Sequence, residues 1–207
     1  MYTLVFPKHQ ANMPHQNFLN KINFVTTPPK KGTLLISEPM LNDPNFSRSV
    51  VLLTEHNHEG SVGFILNQIS TVNVDNILPN FSVKGMPIYI GGPVGNDQLF
   101  FIHTLGNKIS GAIKIIDNLY MGGDIDQLET VLNSEDIGQN QVRFFVGYSG
   151  WDFEQLSHEI KNNSWVVANT TSNQIMSDSD QYWKEVMAGL GKDFEVLSKF
   201  PSNPGLN

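Results

Sequence analysis

Residues 49–55, SVVLLTE, and residues 61–67, SVGFILN, constrain the fold of this chain more than any other stretch. Both runs are rich in β-branched and aromatic residues, which fit the half-buried surface of a pleated sheet. The residues between them, HNHEG, include the Asn and Gly that short turns prefer. The two runs therefore predict a β-hairpin.

Further strands and three helices are readable along the rest of the chain. Strands are predicted at residues 33–36, 87–93, 98–103, 112–116, 141–148 and 165–169. The helices are predicted to begin near Asp124, Asp152 and Asp178, and Gly191 is suited to end the third one. Residues 73–78 predict a single helical turn. Because strands and helices do not alternate regularly, the pattern indicates an α+β fold rather than a doubly wound parallel sheet.

The distribution of charge divides the chain at residue 32. Residues 1–31 hold four lysines and no acid, which leaves nine basic and 20 acidic residues in the rest. We predict a flexible basic N-terminal extension at 1–31 and a single domain at 32–207. Met13 could equally be the true start, and we expect residues 1–12 to be dispensable. The chain has two arginines, Arg48 and Arg143, and an acidic body repels phosphate backbones, so direct nucleic-acid binding is not expected.

The sequence contains neither cysteine nor a long apolar segment. The chain has no cysteine, which excludes disulfides, thiolate metal sites and thiol nucleophiles. No apolar run approaches the roughly 18 to 20 residues that span a bilayer, and the apolar start is too short for a signal-peptide core. We therefore expect a cytoplasmic protein with no membrane contact.

Five ordered motifs resemble the AlgH/YqgE family of bacterial proteins. They are residues 32–39 (GTLLISEP), 42–51 (NDPNFSRSVV), 59–68 (EGSVGFILNQ), 89–94 (YIGGPV) and 145–156 (FVGYSGWDFEQL). Trp165 and the ending at 204–207, PGLN, also fit. The resemblance runs in order from residue 32 to residue 207. Two departures are Ile69, where the family usually has proline, and Glu154, where it usually has glycine.

The resemblance implies a fold and a regulatory label. The fold is α+β, with a mixed or antiparallel bifurcated sheet that curls into a pseudo-barrel, and from the periodicity we add about three helices. The family is labelled as transcriptional regulators on the basis of exopolysaccharide genetics. No catalytic residue or cofactor accompanies that label, so we expect no cofactor.

Three of the family signatures supply candidates for one groove. These candidates are Asn67, Gly92, Pro93, Tyr148, Ser149, Trp151 and Gln155. If they converge in space, they mark a groove for another protein or a small ligand. The alternative is that they form turns and core edges.

Two hypotheses of catalytic function remain open as alternatives. Ser149 lies two residues after Gly147, as in a nucleophile elbow, but Trp151 occupies the position that needs the second glycine. His56 and His58 could hold a metal ion if other ligands approach. The first hypothesis is thus a non-enzymatic binding or regulatory protein that acts through another protein. The alternatives are a hydrolytic or metal-assisted enzyme using Ser149 or His56/His58, and a direct DNA-binding regulator; an oligomer is possible.

Overall fold

The computed structural model describes residues 22, 24, 26–134 and 138–201, which hold ten strands and six α-helices. The strands are β1 (Leu34–Ser37), β2 (Val50–Asn57), β3 (Gly60–Ile65), β4 (Ile69–Asn73), β5 (Pro87–Ile90), β6 (Val94–His103), β7 (Ile113–Ile116), β8 (Leu119–Met121), β9 (Val142–Trp151) and β10 (Trp165–Ala168). The helices are α1 (Val74–Ile77), α2 (Ile125–Ser134), α3 (Gln155–Lys161), α4 (Ser172–Ile175), α5 (Tyr182–Ala188) and α6 (Lys192–Ser198).

The α+β fold is confirmed, but the prediction of about three helices is wrong. The three predicted helices are α2, α3 and α5, and α1 is the predicted single turn. Helix α4 was missed because its four residues are too few to show a helical period, and α6 was missed because Gly191, directly before it, was predicted to end the preceding helix. None of the described helices combines the length and the apolar character that crossing a bilayer requires.

The predicted hairpin of β2 and β3 lies inside a large sheet. Along the main path the strand order is β10-β1-β2-β3-β9-β6-β8-β7, and β4 and β5 form a side branch. Residues Val50 to Leu53 of β2 are all fully buried. Alternate side chains of this run enter two different apolar clusters, because both faces of the sheet are covered here. A bulge between Leu53 and Glu55 then carries β2 towards the surface.

The sheet divides at β9. One edge of β9 pairs with β6, while its other edge pairs in parallel with β5 at residues 144–146 and antiparallel with β3 at residues 149–151. At the fork, a Cβ on Gly92 would lie 2.3 Å from the carbonyl carbon of Tyr148, so only glycine lets the two backbones approach. No pairing joins β10 to β7 in the described residues, so the curl into a pseudo-barrel stays a prediction.

The packed body includes residues that precede the predicted boundary at residue 32. Ile22 and Phe24 are buried in the main apolar cluster. The carbonyl of Phe24 accepts a hydrogen bond from the backbone N–H of Val167 at 3.0 Å, and the N–H of Thr26 donates to the Val167 carbonyl. The start of the body thus lies before residue 32. The predicted flexibility of residues 1–21, and the dispensability of residues 1–12, concern residues outside the described ones.

Candidate functional site

The seven residues predicted to form one groove lie at three places in the fold. These places are an open groove at the end of β9 (Tyr148, Trp151, Gln155), a cavity beside β4 and β5 (Asn67) and the fork of the sheet (Gly92, Pro93, Ser149). Three of the seven residues therefore share one open site.

The residues at the fork stabilise the backbone arrangement of the sheet and do not line an open site. Ser149 is fully buried, and its hydroxyl donates to the carbonyl of Gly91 at 3.0 Å. This bond ties β9 to the end of β5 where the sheet divides. Gly92 allows the close approach to the backbone of Tyr148 described above, and Pro93 follows Gly92 in the bend before β6. A buried hydroxyl that is already committed to a carbonyl lacks the access that a nucleophile needs, and among the described residues it donates to no histidine or carboxylate that could act as its base.

The open groove, called the β9 groove below, lies between the β2–β3 turn and the end of β9. It has a volume of about 420 Å³, which is in the range of small-molecule and peptide sites. Its lining residues are Glu55, Asn57, Glu59, Gly60, Ser61, Val62, Val94, Tyr148, Gly150, Trp151, Asp152 and Gln155. Glu55, Glu59 and Asp152 are exposed, and no lysine or arginine is among the lining residues. The groove is therefore acidic.

A buried carboxylate holds the floor of the β9 groove in place. Glu159 is 2% exposed, and its Oε2 accepts hydrogen bonds from the indole N–H of Trp151 at 2.9 Å and of Trp165 at 2.8 Å. Its Oε1 accepts from Nε2 of Gln155 at 2.9 Å. Burial raises the pKa of Glu159 above its ordinary value, although all three hydrogen bonds oppose that shift. Trp151 and Gln155 consequently have fixed orientations before any ligand arrives.

The two histidines of the turn do not form a metal site with their neighbours. In the described residues no group of three or more His, Cys, Asp or Glu side chains is placed to hold a metal ion. His58 is exposed, whereas Nδ1 of His56 lies 2.8 Å from Oγ of Ser61 across the β2–β3 ladder. Sequence reasoning missed Ser61, because only strand register places it opposite His56.

A second and larger cavity, called the arginine cavity below, lies beside β4, β5 and the start of α5. Its volume is about 750 Å³. The lining residues are Arg48, Leu66, Asn67, Ile69, Pro87, Tyr89, Arg143, Ser177, Asp178, Ser179, Asp180, Gln181, Tyr182, Trp183 and Lys184. Both arginines of the chain are among them. The small number of arginines was visible in the sequence, but their meeting at one cavity was not.

Arg143 forms the inner wall of the arginine cavity. It is 4% exposed and donates to the carbonyls of Leu66 and Ser177 and to Oδ1 of Asp178. Its guanidinium lies 4.5 Å from the ring centroid of Tyr89, whose hydroxyl also donates to Asp178. Burial raises the pKa of Tyr89 to about 12. These bonds join β9 to the segment before α5, so the role of Arg143 is to fix the wall.

The fold and these two cavities define an α+β protein with a forked sheet and two preformed open sites. The chain belongs to the AlgH-like family, whose family model matches residues 34–195. This confirms the resemblance to AlgH/YqgE proteins.

Relatives in other bacteria cover nearly the same span. A UPF0301 protein of Parabacteroides distasonis is 47% identical over 183 residues, which cover 86% of this chain and 92% of that protein. The UPF0301 protein BF2109 of Bacteroides fragilis is 40% identical over 189 residues, covering 90% of this chain and 96% of that protein.

Two solved structures resemble the fold. The solution structure of the AlgH protein from Pseudomonas aeruginosa matches with a TM-score of 0.65 at 26% identity, covering 85% of this chain and 97% of that one. A crystal structure of a Corynebacterium diphtheriae protein matches with a TM-score of 0.71 at 24% identity, covering 88% and 97%. The second similarity is one of fold alone.

Proposed function

We propose that the protein is a non-enzymatic binding protein that holds a basic segment of another protein in the β9 groove. The observation that carries this proposal is the buried Glu159, which fixes both Trp151 and Gln155 at the groove. Fixing such side chains before binding lowers the entropy lost when a ligand orders them. If Trp151 served only to pack the core, the hydrogen bond that also holds Gln155 at the open groove would have no function.

The charge of the β9 groove selects the kind of partner. The carboxylates of Glu55, Glu59 and Asp152 are exposed, and a basic side chain can pair with them while it keeps part of its hydration. The ring of Tyr148 is partly exposed beside them and offers a face for a cation. We therefore expect a lysine- or arginine-rich segment rather than an anion.

Regulation would then be indirect. The chain carries a net charge of −7, and an acidic surface around the groove disfavours phosphate contacts. An effect on transcription, as the family label suggests, would act through the bound protein. We place this activity in the cytoplasm, and an oligomer is compatible with it.

The experiment is a titration with a fluorescently labelled hexalysine peptide, followed by anisotropy at low and moderate salt. We expect saturable binding that weakens at least about tenfold when Glu55→Gln and Glu59→Gln are combined, since two charge-assisted contacts are lost. The matched control combines Asp126→Asn and Asp193→Asn, which remove two exposed carboxylates, on α2 and α6, outside the groove. Equal weakening in the control would show that the attraction is general and would contradict the proposal. Salt-sensitive binding of duplex DNA would favour the DNA-binding alternative instead.

A hydrolytic enzyme is a second candidate because of one pair of side chains. His56 Nδ1 lies 2.8 Å from Ser61 Oγ at the edge of the β9 groove, which is hydrogen-bonding distance for a nucleophile and its base. Ser149 does not compete for this role, because its fully buried hydroxyl donates to the carbonyl of Gly91, whereas Ser61, at 5% exposure, lines the groove. A fluorophosphonate probe that labels the wild-type chain, but not the Ser61→Ala variant, would favour this candidate. Absence of labelling in both proteins would remove it.

A further inference from the structure

Arg48 lines the arginine cavity and forms no ion pair with any described residue. In the described part of the chain, the ion pairs that form include Arg143 with Asp178 at 2.9 Å but none with Arg48. The Nη2 of Arg48 donates to the carbonyl of Phe200, and its buried Nε has no hydrogen-bond partner among the described residues. Burial lowers the pKa of Arg48, as expected for a cation with no opposing carboxylate.

The backbone and the neighbours of Arg48 hold this guanidinium in one place. Arg48 has a φ of 51°, a left-handed conformation that costs free energy for a residue with a Cβ. Asn67 fixes that conformation, because its Nδ2 donates to the Arg48 carbonyl and its Oδ1 accepts from Val50, both at 2.9 Å. The guanidinium lies 4.6 Å from the ring centroid of Trp183, whose indole donates to the carbonyl of Ser37.

The rest of the cavity combines an exposed apolar surface with one more cation. Ile69 is 61% exposed, and Pro87 beside it is exposed too. Lys184 lies at the rim on α5, together with the exposed Asp180. Asp178 is already paired with Arg143, so Arg48 and Lys184 outweigh the remaining carboxylate.

We propose that the arginine cavity binds a small organic anion, with a carboxylate or phosphate at Arg48 and Lys184 and an apolar body against Ile69 and Pro87. Arginine suits both anions, since its planar donors match their oxygens in pairs. A cavity of about 750 Å³ accommodates a molecule of this class. Asn67 acts as a positioning residue, because it holds the backbone of Arg48. This site is separate from the β9 groove, so either site can fail its test while the other stands.

The test uses phenyl phosphate and 3-phenylpropionate as probes, with benzyl alcohol as the uncharged comparison. The chain contains two arginines, so a ¹H–¹⁵N spectrum reports two Nε–H groups, and Arg48→Lys assigns them. We expect at least one anion to shift the Arg48 signal in a saturable way with a dissociation constant in the millimolar range or below, at about 10 mM probe or less. Benzyl alcohol should leave that signal in place.

Variants separate a specific site from general attraction, with affinity measured by calorimetry. Arg48→Gln should weaken binding at least about tenfold, and Arg48→Lys by less, since it keeps the charge but not the paired donors. Lys184→Gln should weaken it about threefold, while Lys192→Gln, an exposed lysine on α6 outside the cavity, should not. A dispersed spectrum confirms that each variant is folded. The proposal is overturned if neither anion shifts the Arg48 signal, or if folded Arg48→Gln and Lys184→Gln bind as well as the wild type.

Discussion

Replacing Glu159 by methionine removes the acceptor that two buried indoles share. Trp165 is fully buried and Trp151 nearly so, so water cannot replace the lost oxygen at either N–H. Each stranded donor costs about 1–3 kcal/mol, and the two together lower the free energy of unfolding by about 2–6 kcal/mol. That loss is a large share of the roughly 5–15 kcal/mol that stabilises a typical domain.

The matched control is Glu159→Gln, which keeps an acceptor oxygen at nearly the same position. We expect it to lower the free energy of unfolding by less than about 1.5 kcal/mol, because the amide oxygen still accepts from both indoles and only the hydrogen bond from Gln155 is lost. Both variants are compared with the wild type by urea unfolding, followed through tryptophan fluorescence. The reasoning is refuted if the methionine and glutamine variants unfold within about 0.5 kcal/mol of each other, which is the scatter of ordinary surface substitutions.

The same carboxyl group makes stability depend on pH. Burial raises the pKa of Glu159 in the folded protein above the ordinary 4.5, so the folded state holds this proton more tightly than the unfolded state. Its contribution to stability is complete below pH 4.5 and is lost as pH rises through the raised pKa. Subtracting the glutamine variant's stability profile from that of the wild type should therefore leave a curve that falls with pH in this window. A curve that rises there would mean that the hydrogen bonds outweigh burial.

Three further measurements test the fork and the cavity wall. Ser149→Ala should cost about 0.5–1.5 kcal/mol in urea unfolding and leave peptide binding unchanged, since only a buried hydrogen bond is lost; complete loss of binding in a folded variant would assign this serine a direct role. Gly92→Ala should prevent folding, because the added Cβ meets the backbone of β9. The control Gly85→Ala, with a φ of 74° and open space around it, should cost about 1–2 kcal/mol. Equal solubility and melting temperature of the two variants would contradict the fork geometry. Burial raises the pKa of Tyr89 and of Tyr182 to about 12, so both should ionise above the ordinary pKa of 10 in an ultraviolet titration. The free energy of unfolding should fall as pH rises from 10 towards 12. Ionisation of every tyrosine of the folded protein near the ordinary pKa of 10 would show that these two are open to solvent.

The strands that were plainest in the sequence contain a continuous run of buried side chains. Residues 50–53 of β2 and 142–145 of β9 are buried on both faces, so their apolar character was plain in the sequence. The missed strand β4 has four exposed residues among its five, and β8 has only three residues. Gly191 was predicted to end a helix; that helix ends at Ala188, and Gly191 instead precedes α6.

The candidate sites show a different limit. Tyr148, Trp151 and Gln155 are neighbours in the sequence, so their shared groove could be anticipated from one motif. Arg48 and Trp183, by contrast, meet only because the β1–β2 connection packs against α5. No local sequence pattern shows that two indoles donate hydrogen bonds to Glu159. Such contacts depend on the path of the chain rather than on residue type.

The fork at β9 also has a consequence for the order of events during synthesis. Strands β3, β5 and β6 all pair with β9, which comprises residues 142–151. Strand β1 has β10 as its second partner. While the ribosome is still short of residue 151, these earlier strands expose unpaired edges, which are prone to associate with one another or with other chains. Contacts that close over such long loops also form slowly. A nascent chain of this kind depends on protection from aggregation until its last third has emerged.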